Sequence, residues 1–127
     1  MSNSFPYSSE YDPPVPICSV MIASAATSRT VQLQAIVDTG ADATIVPLRY
    51  LHQIGARPAF EAGLRSQRGE RRIVFLYLVD LKIGSLTLPS VFVVGDDRGD
   101  EVILGRDVLN KLVVTLHGPH KLAQIFG

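Results

Sequence analysis

The chain of 127 residues contains one cysteine, Cys18, no tryptophan and no excess of charge of either sign. A single cysteine cannot form an internal disulfide, which fits a reducing compartment, and we expect Cys18 to be a small core residue. Twelve basic residues balance twelve acidic ones, so the formal net charge is zero. This balance indicates no nucleic acid partner and no electrostatic attraction to a membrane surface.

The chain also lacks a long hydrophobic run. No apolar stretch approaches the roughly eighteen residues that a membrane-spanning helix needs, and the N-terminus lacks the basic-then-apolar order of a signal peptide. We therefore predict a cytoplasmic protein without a membrane partner. The histidines at 52, 117 and 120 have no zinc-like spacing, and the acids within 96–101 lack the spacing of a calcium loop, so no metal site is expected.

The composition is that of one globular domain, with 46% hydrophobic and 19% charged residues. Residues 1–14 have no hydrophobic period and contain Asp12-Pro13-Pro14, so we expect them to form a flexible N-terminal arm. The folded domain is expected to begin near Val15 and to occupy residues 15–127. Apolar and polar residues alternate almost throughout this part, which predicts an all-β fold.

Turn residues separate the predicted elements. Pro47 and Gly55 bracket a short apolar pattern and predict a helix, because proline is favoured in the first turn and glycine just past the end. A second helical passage is predicted from Arg106 to Leu112. The predicted strands are 16–22, 30–37, two strands around the polar turn within 60–76, and then 79–83, 86–94, 113–116 and 122–126.

An acidic residue follows the apolar strand that ends at Val37. Asp38-Thr39-Gly40 lies where the chain leaves the sheet, and Gly40 permits a sharp turn, so Asp38 can project into a cleft. The triplet is also compatible with an ordinary turn, in which the aspartate bonds its own backbone. A second segment, Val102-Ile103-Leu104-Gly105-Arg106-Asp107-Val108-Leu109-Asn110, favours the functional interpretation. In this order, the two segments resemble the single-lobe, retropepsin-like aspartic protease family.

The resemblance implies a closed, bent β-barrel with one short C-terminal helix and the activity of an aspartic endopeptidase. One triplet supplies only half of a catalytic dyad. The resemblance therefore implies a homodimer, in which two Asp38 carboxylates activate a water that attacks a peptide or protein substrate without any cofactor. The implied catalytic residues are Asp38, Thr39 and Gly40. The alternative is a catalytically weak or inactive protease-fold module that dimerises or binds peptides.

The resemblance also implies a set of supporting residues. Arg106 is expected to pair with Asp42 and to brace the catalytic loop from a partly buried position. Residues 60–76 are expected to form a flap that closes over substrates with apolar side chains beside the scissile bond. The implied substrate-binding residues are Ala41, Asp42, Ser66, Gln67, Arg68, Gly69 and Leu104.

The flap departs from the family pattern. Viral flaps are glycine-rich at the tip, whereas this segment offers Gly63 and Gly69 among arginines at 65, 68, 71 and 72. An arginine cluster on an exposed hairpin is compatible with a soluble face or with a recognition site for acidic peptides.

Overall fold

The computed structural model describes residues 3–65 and 69–127 of the chain. These residues form ten strands and two short helices. The strands are β1 (Ser4–Pro6), β2 (Ile17–Ser24), β3 (Thr30–Val37), β4 (Ile45–Pro47), β5 (Pro58–Arg65), β6 (Arg71–Ile83), β7 (Leu86–Asp96), β8 (Val102–Leu104), β9 (Val113–His117) and β10 (Leu122–Phe126), and the helices are α1 (Leu48–Gln53) and α2 (Arg106–Leu109).

Six of the strands close into a barrel. The large sheet has the order β2-β3-β8-β4-β7-β6-β5, and an additional antiparallel pairing of β2 with β6 joins its two sides and leaves β5 outside the ring. Most pairings are antiparallel, but β3 pairs in parallel with β8, and β4 pairs in parallel with β7. The predicted fold class, an all-β closed barrel with a short C-terminal helix, is confirmed.

The core is built from alternate residues of these strands. Along β2, Cys18, Val20 and Ile22 are buried, while the residues between them are partly exposed. This alternation follows from the two-residue period of a strand, which places neighbouring side chains on opposite faces. Cys18 is a core residue, as predicted, and burial raises the pKa of its thiol to about 12. The thiol is therefore protonated and unreactive at neutral pH.

The first helix is short and begins and ends where proline and glycine predict. Pro47 is the N-cap of α1, one position before the first helical residue, and Gly55 has a φ of +68° just beyond the C-terminus. Leu51 and Ile54 face the core from this segment and are almost fully buried. Packing against the barrel, rather than helix propensity, stabilises a helix of this length.

The N-terminal segment requires a correction, because the expectation that the fold begins near Val15 is wrong. β1 at Ser4–Pro6 pairs antiparallel with β10, and Phe5 packs against the hydrophobic core. Composition did not predict this strand, because its stability comes from backbone bonds to a distant part of the chain. Residues 1 and 2, which the predicted arm also included, lie outside the described residues.

A separate three-stranded sheet, the terminal sheet, has the strand order β1-β10-β9. β9 lies at one edge of this sheet, and the segment carries exposed Val113 and Leu116. Phe126, the cross-strand partner of Val113, is also 47% exposed. In the described part of the chain, neither helix is long and apolar enough to cross a membrane.

Candidate active site

Asp38 is the first residue after β3, and its backbone is held on both sides. Its N–H donates to the carbonyl oxygen of Leu104 at 3.1 Å, which extends the parallel pairing of β3 with β8 by one position. Its carbonyl oxygen accepts from the N–H of Ala41 at 3.2 Å and closes a turn. The side chain is partly buried, and Oδ1 accepts from the N–H of Gly40 at 2.9 Å. This bond fixes the direction of the carboxylate.

The loop that follows Asp38 is anchored to the start of α2. The N–H of Arg106 donates to the carbonyl oxygen of Ala41 at 2.8 Å. The guanidinium of Arg106 reaches back over the loop, where Nη1 donates to the carbonyl oxygen of Thr39 at 2.9 Å and Nη2 contacts Oδ1 of Asp42. The structure therefore brings Asp38, Thr39, Gly40, Ala41, Asp42 and Arg106 together, as the sequence predicted.

The expected burial of the Asp42–Arg106 pair is wrong. The side chain of Asp42 is 87% exposed and that of Arg106 is 45% exposed. Water screens such a pair, so its contribution to stability is small. The pair lies at the rim of the loop rather than beneath it.

The buried support of the loop is Thr44, which sequence reasoning missed. Thr44 is 1% exposed, and its hydroxyl donates to Oδ1 of Asp107 at 2.8 Å and accepts from the N–H of Gly105 at 3.1 Å. Its N–H also donates to Oδ2 of Asp107 at 3.2 Å. The signal in the sequence is a threonine in an apolar run, six residues after Asp38, because a buried hydroxyl requires partners.

Gly105 allows this close packing. A Cβ atom built at this position would lie 2.4 Å from the carbonyl oxygen of Ala43 and 2.5 Å from its carbon. Both are backbone atoms, so a side chain at 105 would force the loop that follows Asp38 and the start of α2 apart. Close packing therefore explains the glycine at position 105. Its backbone conformation does not, because a φ of −91° is accessible to any residue.

The predicted role of Leu104 requires a correction. Its side chain is fully buried in the core, so it cannot contact a substrate. Leu104 is paired with Val37 at the end of the β3–β8 ladder, and it supports Asp38 through its backbone carbonyl. The sequence motif correctly associated Leu104 with Asp38, but the two-residue period of β8 directs the Leu104 side chain into the core.

In the predicted flap, β5 and β6 pair antiparallel, from Pro58 with Tyr77 to Arg65 with Arg71. Ser66, Gln67 and Arg68 lie outside the described residues. Gly69 has a φ of +81° and is exposed. Arg72 is paired with Leu64 near the tip end of this ladder, and it lies 3.6 Å from a carboxylate oxygen of Asp96, the last residue of β7, and 3.6 Å from one of Asp97, the next residue.

Across residues 3–65 and 69–127, no group of three or more His, Cys, Asp or Glu side chains is arranged to hold a metal ion. His117 and His120 stack with ring centroids 4.3 Å apart in the turn between β9 and β10. They lie on the terminal sheet, whereas Asp38 lies on the barrel.

Residues 25–111 match the family described as "gag-polyprotein putative aspartyl protease". The match covers more than half of the chain, so the chain belongs to this retropepsin-like, retroviral-type aspartyl protease family.

A solved structure shows the same architecture. The structure of EIAV protease complexed with the inhibitor HBY-793 matches with a TM-score of 0.60 and 21% sequence identity, covering 84% of this chain and 93% of that chain. At this identity the similarity shows the fold alone, which is that of a retroviral protease. A comparison with curated protein sequences gives no match.

Proposed function

We propose that the chain is a homodimeric aspartic endopeptidase that cleaves extended polypeptides with a water activated between two Asp38 carboxylates. The observation that carries the proposal is the position of Asp38. It is partly buried at the end of a barrel strand. Its backbone donates to Leu104 and accepts from Ala41, and its carboxylate accepts from the N–H of Gly40. A carboxylate held in this way is preorganised for proton transfer.

The proposed mechanism requires a second subunit, since each chain contributes one such carboxylate. Two carboxylates about 3 Å apart at an effective dielectric of about 20 repel by roughly 5 kcal/mol, so the pair holds one proton. The ionised member accepts a proton from the water as it attacks the peptide carbonyl. The protonated member donates to the carbonyl oxygen. Thr39, Ala41 and Asp42 adjoin this position and are proposed to hold the loop and the peptide backbone.

The terminal sheet supports a two-fold dimer. β9 lies at the edge of its sheet, where backbone N–H and C=O groups can pair with another strand. Val113, Leu116 and Phe126 expose apolar surface beside this edge. A second copy that pairs there would cover both the edge and the apolar side chains.

The test is the variant Asp38→Asn, which removes the proposed acid and base together while keeping the shape of the side chain. We expect peptide cleavage to fall to background and the protein to remain folded. The matched control is Asp12→Asn, because Asp12 is exposed on the N-terminal segment and has no proposed role. Peptide-library digestion at several pH values, with circular dichroism as the check on folding, provides the measurement.

Two further readouts address the shared dyad. Specific activity should fall on dilution below the dimer dissociation constant, and an excess of Asp38→Asn chains should suppress wild-type activity through subunit exchange. Activity should be highest on the acid side of neutrality, because only the singly protonated pair contains both an acid and a base. Full activity of Asp38→Asn, or activity that is independent of concentration, would instead support a peptide-binding or dimerisation module.

A further inference from the structure

A cavity of about 400 Å³ opens between the N-terminal segment and the barrel wall. Apolar side chains from β2, β3 and β8 line it, namely Ile17, Ile36 and Val102. Its acidic lining residues come from the N-terminal segment and from the residues before β8, namely Glu10, Asp100 and Glu101. Apolar and negatively charged surface are therefore combined in one concave space.

The cavity lies on the same face of the barrel wall as Asp38. Ala35 and Val37 are buried on one face of β3, so Gln34 and Ile36 lie on the other face, and Asp38 is the next position in that row. Gln34 and Ile36 both line the cavity. Positions two apart on a strand are separated by about 7 Å, which is also the span of about two residues of an extended peptide.

The register of the neighbouring strands confirms this placement. Ile36 is paired with Ile17 on β2 and with Ile103 on β8, so the cavity adjoins the pairing of β3 with β8 that also holds Asp38. A peptide bound at Asp38 in an extended conformation can therefore direct a nearby side chain into the cavity.

The charges of the lining are of one sign. Among the residues that the structure describes, the lining includes three carboxylates and no lysine, arginine or histidine. Arg49 already pairs with Asp100, at 2.6 Å, from outside the cavity. The hydroxyl of Tyr11 donates to Oε2 of Glu101 at 2.5 Å, which orients that carboxylate without neutralising it. Glu10 and Glu101 are consequently the acids with which a bound cation would pair.

We infer that this cavity is a specificity subsite for a lysine or arginine side chain, located within about two residues of the scissile bond. The aliphatic stem of such a side chain fits against Ile17, Ile36 and Val102, and its charged head reaches Glu10 and Glu101. The inference rests on the proposed protease function. It replaces a purely apolar preference beside the scissile bond with a preference that includes one basic position.

The experiment begins with a peptide-library digest that identifies cleaved sequences. Matched peptides are then made in which arginine near the scissile bond is replaced by citrulline, which has nearly the same shape but no charge. We expect kcat/KM of the wild type to be about tenfold higher for the arginine peptide. The ratio should fall to about twofold or less in Glu101→Gln and in Glu10→Gln, since both lose a charge at the site. Glu101→Gln retains an acceptor for Tyr11.

The control variant is Asp12→Asn, which removes one negative charge from the same N-terminal segment at a residue outside the cavity lining. It should keep the full preference for arginine. The inference would be overturned by an arginine-to-citrulline ratio of kcat/KM near one in the wild type, or by an unchanged ratio in both cavity variants. It would also be overturned if the cleaved peptides had no basic residue within two positions of the scissile bond.

A binding measurement separates this inference from the proposed function. The peptides for this measurement do not depend on the digest. Fluorescently labelled extended peptides with apolar side chains and one arginine, and their citrulline analogues, are titrated into Asp38→Asn protein, because binding in the cavity does not require catalysis. Tighter binding of the arginine peptide that is lost in Asp38→Asn/Glu101→Gln supports the basic preference even if the wild type cleaves nothing. Equal binding of the two peptides rejects the preference, whatever the catalytic activity.

Discussion

The proposed catalytic loop, which follows Asp38, is supported at two points that differ in burial, and this difference decides which support contributes more to stability. Arg106 bridges to Asp42 at the surface, where the side chain of Asp42 is largely exposed and that of Arg106 is nearly half exposed. Thr44 bonds Asp107 and Gly105 beneath the loop, where Thr44 is 1% exposed. Exposed ion pairs contribute little to stability, whereas a buried polar group that loses its partner carries the full cost of desolvation. The buried threonine is the stronger support.

The two supports also differ in what the sequence reveals about them. A pair of opposite charges is conspicuous, and the family resemblance pointed to Asp42 and Arg106. A threonine and an aspartate separated by 63 positions carry no local signal of contact. The expected stability losses therefore follow burial, from the close backbone packing at Gly105 through the buried Thr44 to the exposed Asp42–Arg106 pair.

The largest effect is expected for Gly105→Ala. The added Cβ would lie 2.4 Å from a backbone oxygen of Ala43, so the loop and α2 must separate. Overpacking of this kind costs about 3 kcal/mol or more when backbone atoms have to move. Urea denaturation at fixed protein concentration should show the loss, and peptide cleavage should fall with it because the displaced loop carries Asp38.

The matched control is Gly118→Ala, because a Cβ at Gly118 would meet no atom within 4 Å. We expect its midpoint of denaturation to be close to that of the wild type. Equal stability of Gly105→Ala and Gly118→Ala would show that Ala43 can move away at little cost. Close contact with the backbone of Ala43 would then not explain why position 105 is a glycine.

An intermediate effect is expected for Thr44→Val. The substitution nearly preserves the volume of the side chain but removes the hydroxyl, leaving the N–H of Gly105 without this acceptor and Asp107 without one donor. We expect the free energy of unfolding to fall by about 2 kcal/mol. Thr115→Val is the control, because Thr115 is exposed on β9 and undergoes the same chemical change. Similar losses in the two variants would contradict the importance of the buried network.

Much of the fold could be predicted from the sequence because its signals are local. The alternation of β2 and β3, the helix between Pro47 and Gly55 and the closing hairpin of β9 and β10 each depend on residues that are near one another in the chain. The position of Asp38 at a strand end could be predicted for the same reason. The family resemblance then supplied the closure of the barrel, which no local pattern encodes.

The parts that could not be predicted depend on contacts between distant residues. β1 exists because β10 supplies its backbone partners, and the short strand β4 pairs with β7 and β8. The inward direction of Leu104 depends on how β8 is paired, which a motif does not specify. The acidic cavity likewise combines Glu10 with Glu101 across 91 positions of the chain, and the pairing of the N-terminal segment brings the two together.

The smallest effect is expected for Arg106→Ala, and a double-mutant cycle with Asp42→Asn measures it. Both side chains are largely exposed in the single chain, so their coupling energy should be below about 1 kcal/mol. The control cycle uses Arg49 and Asp100, a second ion pair with exposed side chains at 53% and 85%. Urea denaturation at protein concentrations that favour the monomer should give similar, small coupling energies for the two pairs.

If the proposed dimer covers the loop, the Asp42–Arg106 coupling should increase at concentrations that favour the dimer, towards the roughly 3 kcal/mol of a buried pair, while the Arg49–Asp100 coupling should not. A coupling of about 3 kcal/mol in the monomer would contradict the ranking by burial, because it would make the surface pair as strong a support as Thr44.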